Sequence, residues 1–223
     1  MTQFSYPSTA FAFSERALGL LASKDQASLF YAALEVRMGV EARPQSYVQA
    51  SRYTSAALKK GWQIQRLAKG LDKAFKGQKD VVELSYSHTS DEMPFAVLHY
   101  TPVTSELQKI AQRLGDYLHY RENGVTRDEA WWGTFRSVVQ SGQQLLFAAS
   151  TGQLLGPPLW DPKAQQMHLN VEFLAGDPAI KQIQQFAKTR EQLIVNVAYH
   201  PADKFYAALS ANSDIGRYTQ LAE

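Results

Sequence analysis

The sequence contains no cysteine. That excludes disulfides, thiol nucleophiles and zinc sites built on thiolates, and it accords with a reducing compartment. It also lacks any apolar run near the roughly 20 residues that a membrane-spanning helix needs, so no membrane association is expected. There is no Gly-rich phosphate loop, no Ser-centred elbow and no dinucleotide fingerprint. His88, His99, His168 and His200 lie on or at the ends of strand-like runs. Several of them converge if those strands share a sheet. None has a paired Asp or Glu at ligand spacing, so neither a metal site nor a cofactor is expected. The opening stretch "MTQFSYPSTAFAFSERALGLL" has no basic segment followed by an apolar run. No secretion signal is expected there, and a cytoplasmic location is.

Charge of one sign is scarce overall, with 23 Lys and Arg against 21 Asp and Glu, yet it is unevenly spread. Residues 51–79 hold eight basic residues and one acid, Asp72. Within this block, "SYVQASRYTSAALKKGWQIQRLAKGLDKAFKG" reads as a long helix over about 46–76. Ile64, Leu67, Leu71 and Phe75 form its apolar stripe, and Arg66, Lys69, Lys73 and Lys76 fall on the opposite side. That basic row reads either as a solvated face or as a nucleic-acid-binding surface.

The 223 residues are 45% hydrophobic, enough for one large domain or two small ones. Ser14 looks like the cap of a short first helix, and Ser23 with Gln26 like the cap of a second. The second helix carries Phe30, Leu34 and Met38 at helical spacing, and Pro44 is expected to end it near Glu41 or Ala42. "DVVELSYSH" and "FAVLHYTPV" read as a β-hairpin, and "TSELQKIAQRLGDYLHY" as a further helix capped by Thr104 or Ser105. Thr126 and Glu129 form a capping box before a helix over about 127–149 that opens on Trp131 and Trp132. One tryptophan is expected in the core, and the other reads as an interface anchor or a stacking platform, with the interface preferred. Beyond a Gly/Pro-rich loop, "MHLNVEFLA" and "EQLIVNVAYH" read as strands flanking a short helix that Asp177-Pro178 starts. The expected fold is therefore α+β. A bundle of four to five helices over 1–150 carries an inserted hairpin at 80–103. A β-α-β appendage over 151–223 packs on the same small sheet, because a lone hairpin buries too little.

The stretch "RLGDYLHY" places Arg113 and His119 on one helix amid Leu114, Tyr117 and Leu118. Arginine suits the charge of a phosphorane, since its planar fork donates two parallel hydrogen bonds to phosphate oxygens. Histidine suits proton transfer, since its reference pKa of about 6.5 lies near cellular pH. Six residues amount to about 600° around a helix, so the two would not share a face of an ideal one. Either Gly115 distorts the helix, or it ends before His119, or the pair meets across a dimer.

Arg113-x5-His119 near the end of a helix, followed by a loop and another long helix, resembles the HEPN superfamily. "LEVRMGVEAR" (34–43), with Arg37 and Glu41 one turn apart, is similar to the second core helix of some members. The resemblance covers about 24–150. It implies a metal-independent endoribonuclease acting as a homodimer, with two Arg/His pairs in one cleft and no cofactor. The implied setting is phage defence or a toxin–antitoxin-like system with an operon partner. The candidate catalytic residues are Arg113 and His119, then Asp116 and Tyr117. Leu114 departs from the family's pattern, in which a polar residue commonly follows the arginine. The alternative is a non-catalytic helical module for dimerisation or protein interaction, as in members that have lost the pair. Arg37 and Glu41 read as an ion pair beside the apolar stripe.

Overall fold

Side-chain caps set the helix starts in the computed structural model, which describes residues 6–61, 63–88, 93–119, 128–163, 165–173, 176, 180–181, 183–185 and 194–211. Helix α1 (Ala10–Leu21) begins at Thr9, whose hydroxyl accepts from the Ala12 N–H. Ser14, read as the cap, is instead buried mid-helix against the Gln143 carboxamide. Helix α2 (Gln26–Ala50) is capped by Asp25, not Ser23. The Asp25 carboxylate accepts from the Ser28 N–H (2.8 Å) and Oγ (2.6 Å), and the Ser23 hydroxyl donates to it as well. These bonds hold the Asp25 carboxyl far below its ordinary pKa.

Two expectations about this region fail for identifiable reasons. Pro44 does not end α2; it lies buried inside it. An interior proline costs about 3 kcal/mol. Tertiary packing beyond it outweighs that, since Tyr47 and Val48 are buried and Arg43 Nε donates to the Ala149 carbonyl (2.8 Å). The long helix over 46–76 is broken into the end of α2, α3 (Ala56–Lys59) and α4 (Ile64–Ala74). Hydroxyls compete for the backbone at the break. Thr54 Oγ1 donates to the Val48 and Ser51 carbonyls, and Ser55 caps α3. The carboxamides of Gln45 and Gln49 then donate to the Lys59 carbonyl at the far end of α3. Leu58 of α3 settles over Gly70 of α4, where any Cβ would strike its side chain.

Helices α5 (Ser105–Leu118) and α6 (Glu129–Ser150) complete the helical unit. Thr126, read as the cap of α6, lies outside the described residues; Asp128 Oδ1 accepts from the Trp131 N–H at 2.8 Å. Helix α2 packs against α1, α4, α5 and α6. Its buried face is Leu29, Ala32, Ala33, Val36, Gly39 and Val40. Leu34 and Met38, read as part of the helix's apolar stripe, are exposed, and Phe30 is half-buried.

The chain is α+β, and it divides into two units: Met1–Ala74 with Val103–Ser150, and Phe75–Pro102 with Thr151–Glu223. In the second unit, β1 (Val81–Ser87) pairs antiparallel with β2 (Ala96–Tyr100) and with β5 (Ile194–His200), giving the order β2-β1-β5. Strands β3 (Leu159–Asp161) and β4 (Gln166–His168) form a separate hairpin. Among the described residues, the run "MHLNVEFLA" thus pairs with β3 and not with the larger sheet, through Met167 and His168, with an isolated bridge at Val171. Residues 180–181 and 183–185 are helical; Asp177-Pro178, read as the helix start, lies outside the described residues. Helix α7 (Ala202–Ala211) follows β5, and its buried Tyr206 donates to the Pro102 carbonyl at 2.6 Å.

Candidate functional site

Helix α5 is capped by Thr104 and buries Leu107, Ala111, Leu114 and Gly115. Leu114 is fully enclosed, which accounts for the apolar residue after Arg113: that position faces the core. The helix ends at Leu118. His119 is the C-cap, with extended backbone (φ −72°, ψ 135°), and its N–H closes on the Gly115 carbonyl at 3.0 Å. The helix therefore ends before the histidine, as one of the geometries open to the Arg-x5-His spacing requires.

Arg113 is exposed and leans along the helix onto Tyr117, one turn away. Its guanidinium lies 5.9 Å from the ring centroid, and Nη2 is 3.5 Å from the phenol oxygen. Tyr117 in turn stacks on the buried Phe135 at 4.6 Å. Trp131 and Trp132, both half-buried, meet edge to face and extend this aromatic cluster towards Phe30. Neither tryptophan is a fully buried core residue. Asp116 and His119 are exposed. Among the described residues, no hydrogen bond or ion pair joins Arg113 to Asp116 or to His119.

A second guanidinium approaches α5 from the other side. Arg37 pairs with Glu41 (3.4 Å) in the half-buried arrangement expected of them. Its Nη1 also lies over Gly115, where a Cβ would come within 2.6 Å. The missing side chain is what admits Arg37 to the α5 backbone. Arg37 thus flanks the Gly115 side of α5, one turn before the point where the chain turns extended at His119. Arg113 and Tyr117 occupy another side.

The basic row divides. Arg66, Lys69 and Lys73 are exposed on α4, opposite buried Leu67 and Leu71. Lys76 lies past the helix end, in a turn with φ +54°.

In the second unit, two of the four strand histidines converge. Glu83 of β1 stands directly across from His99 of β2, and His200 of β5 lies diagonally beside it on the same face. Glu83 Oε2 is 3.2 Å from His99 Nε2 and 3.5 Å from His200 Nε2. The Phe205 ring covers both imidazoles, with centroids 5.2 and 5.9 Å away. Glu83 is the residue that sequence reasoning missed, since only the strand register brings it to the histidines. His168 sits apart, 3.8 Å from Asp161 on the β3–β4 hairpin. Among the described residues no three His, Asp or Glu side chains group so as to hold a metal ion.

Burial holds the His99 pKa below the ordinary value, against the opposing pull of Glu83. The unfolded chain therefore takes a proton near pH 6.5 while the folded chain still resists it. This contribution to stability is full above about pH 6.5 and drains as the pH falls from there towards the folded-state pKa. The melting temperature of the wild type should thus fall more steeply between pH 7.5 and 5.5 than that of His99→Gln. Parallel melting curves for the two proteins would contradict the assignment.

Compared with known proteins, the chain matches no family model, no curated protein and no solved structure.

Proposed function

We propose that the chain is a metal-independent endoribonuclease of HEPN type that works as a homodimer, with Arg113 and His119 meeting across the dimer at the scissile phosphate. One observation carries this reading. A guanidinium and an imidazole are both exposed at the end of α5, neither is in an ion pair among the described residues, and no hydrogen bond joins them there. One chain alone does not bring them together, and a second copy would.

Surface for that copy exists on α2. Tyr31, Leu34 and Met38 recur at helical spacing and are 61%, 46% and 44% exposed. They share the helix whose Arg37 abuts α5. Apolar side chains at i, i+3 and i+7 on an outer face mark an interaction surface.

The chemistry needs no metal. The 2′ oxygen bonds to the adjacent phosphorus and gives up its proton to a base, and the bond from phosphorus to the 5′ oxygen breaks as that oxygen takes a proton. A 2′,3′-cyclic phosphate and a 5′-hydroxyl result. At each such site the His119 imidazole takes the proton from the 2′ oxygen and returns one to the 5′ oxygen, and Arg113 holds the charge that builds on the phosphorane oxygens. Arg66, Lys69 and Lys73 would draw in the RNA backbone, weakening with salt. Asp116 and Tyr117 are secondary: Tyr117 positions Arg113, and Asp116 is exposed in the last turn of the helix. The resemblance carries with it a defence or toxin–antitoxin-like setting and a partner protein from the same operon.

The same α2 stripe favours a second reading, a non-catalytic module whose helices dimerise or dock a partner. A single comparison separates the two. Wild type is expected to cut single-stranded RNA in EDTA, and His119→Ala is expected to lose cutting while keeping its helical signal and its state of association. Equal cutting by both, or none by either, would leave the second reading in place.

A further inference from the structure

Helices α1 and α6 bound an open-sided groove of about 810 Å³ that plays no part in the ribonuclease reading. Its size falls within the range of small-molecule sites, about 300–1,000 Å³. Glu15, Leu18 and Gly19 line it from α1, and Ser137, Gln140 and Gln144 from α6. Gly19 leaves the space above α1 open, since a Cβ there would meet nothing within 4 Å. The opposite wall offers hydroxyls and carboxamides at i, i+3 and i+7.

Of the residues lining the groove, Glu15 alone is charged. Its Oε1 is shielded from solvent and has no hydrogen-bond partner among the described residues. Polar side chains of the neighbouring positions make bonds of their own. The Gln143 carboxamide donates to Ser14 Oγ at 3.3 Å. Arg136, next in sequence to Ser137, places Nη1 and Nη2 on the Leu21 and Ser23 carbonyls at 3.1 Å each, closing the end of α1. Arg16 places Nε on Glu35 at 2.9 Å and Nη1 on the Pro7 carbonyl at 2.8 Å, while its Nη2 has no hydrogen-bond partner among the described residues either. Glu15 is half-buried, and a carboxylate partly withdrawn from water without a protein partner gains when a cation settles beside it. Burial accordingly raises the Glu15 carboxyl above its ordinary pKa.

We propose that this groove binds a small organic monocation, an amine or amidine on a short apolar body. The carboxylate takes the charged head and the neutral polar wall takes its remaining N–H donors. The apolar body lies along Leu18, Leu21 and Ala22. An anion would face the one negative charge of the groove. A neutral ligand would leave that charge unpaired.

Benzamidinium and benzamide test this, being close in size and shape and different in charge. Titrated into the full chain and followed by calorimetry or ligand-observed NMR, benzamidinium should bind saturably and benzamide about tenfold more weakly, a gap of about 1.4 kcal/mol. Glu15→Gln, nearly the same shape, should erase the difference. Gly19→Leu should block both probes while leaving the helical signal intact, since the added side chain enters open space. Equal affinity of the two probes for wild type would overturn the proposal, as would a preference for benzamidinium that survives Glu15→Gln. Binding unaffected by Gly19→Leu, or no saturable binding of benzamidinium at all, would do the same.

Discussion

Arg113→Ala should slow RNA cleavage by about 10²–10³-fold, the usual loss when one donor to a developing oxyanion is removed. The effect should fall on kcat more than on KM. On the proposed reading the guanidinium is worth most when charge has built up on the phosphorane, and the ground-state phosphates fall to the lysines and arginine of α4. Arg113→Lys should recover only a small part. Lysine keeps the charge but loses the planar fork, and it also loses the flat approach to the Tyr117 ring at 5.9 Å. Single-turnover cleavage of a short labelled RNA gives both constants. If Arg113→Lys matches wild type, the side chain acts as a simple counter-charge and the geometric role given to it is wrong.

Phe135→Ala should destabilise the helical unit by about 3–5 kcal/mol, the cost of removing a buried aromatic ring that its surroundings cannot collapse to replace. Phe135 is fully enclosed and touches Phe30, Tyr117, Trp131 and Trp132, with ring centroids 4.6–6.4 Å away. Those contacts come from three helices, so the cavity has walls that cannot all move inward. Urea unfolding followed by tryptophan fluorescence reads the loss directly, because Trp131 and Trp132 report on this cluster. The substitution also takes away the face on which Tyr117 stacks. Cleavage measured where the variant is still folded should therefore fall as well, through the loss of the platform under Arg113. A destabilisation under about 1 kcal/mol would mean that the cluster is a surface feature and not part of the core.

Parts of this architecture are written in short-range pattern. The α4 stripe, the β1–β2 hairpin and β5 follow from period 3.6 and period 2 spacing, and so they were legible. Helix α2 was not. A helix packed by four others buries a broad face, and close approach there favours small residues, so Ala32, Ala33 and Gly39 point inward while Leu34 and Met38 point out. Periodicity of large side chains picked the wrong stripe for that reason. Pro44 and the break after Ala50 depend on bonds between residues that local propensity does not weigh, such as Arg43 to Ala149 and Gln45 to Lys59. The site was legible to the same degree. The spacing of Arg113 and His119 on one element could be read along the chain, and so could the end of α5 near His119. The approach of Arg37 to Gly115 spans 78 positions, and the meeting of Glu83 with His200 spans 117. Only the fold brings those together.

Complementation between two dead variants tests the central claim most directly. Arg113→Ala and His119→Ala each remove one member of every composite site. Mixed in equal amounts and allowed to exchange partners, half of the dimers are mixed, and each mixed dimer holds one intact site out of two. The expected result is recovery of about a quarter of wild-type RNA cleavage in EDTA, with 2′,3′-cyclic phosphate ends on the products. A mixture as inactive as its components, made from variants that fold and exchange, would contradict an active site shared between two copies of this chain.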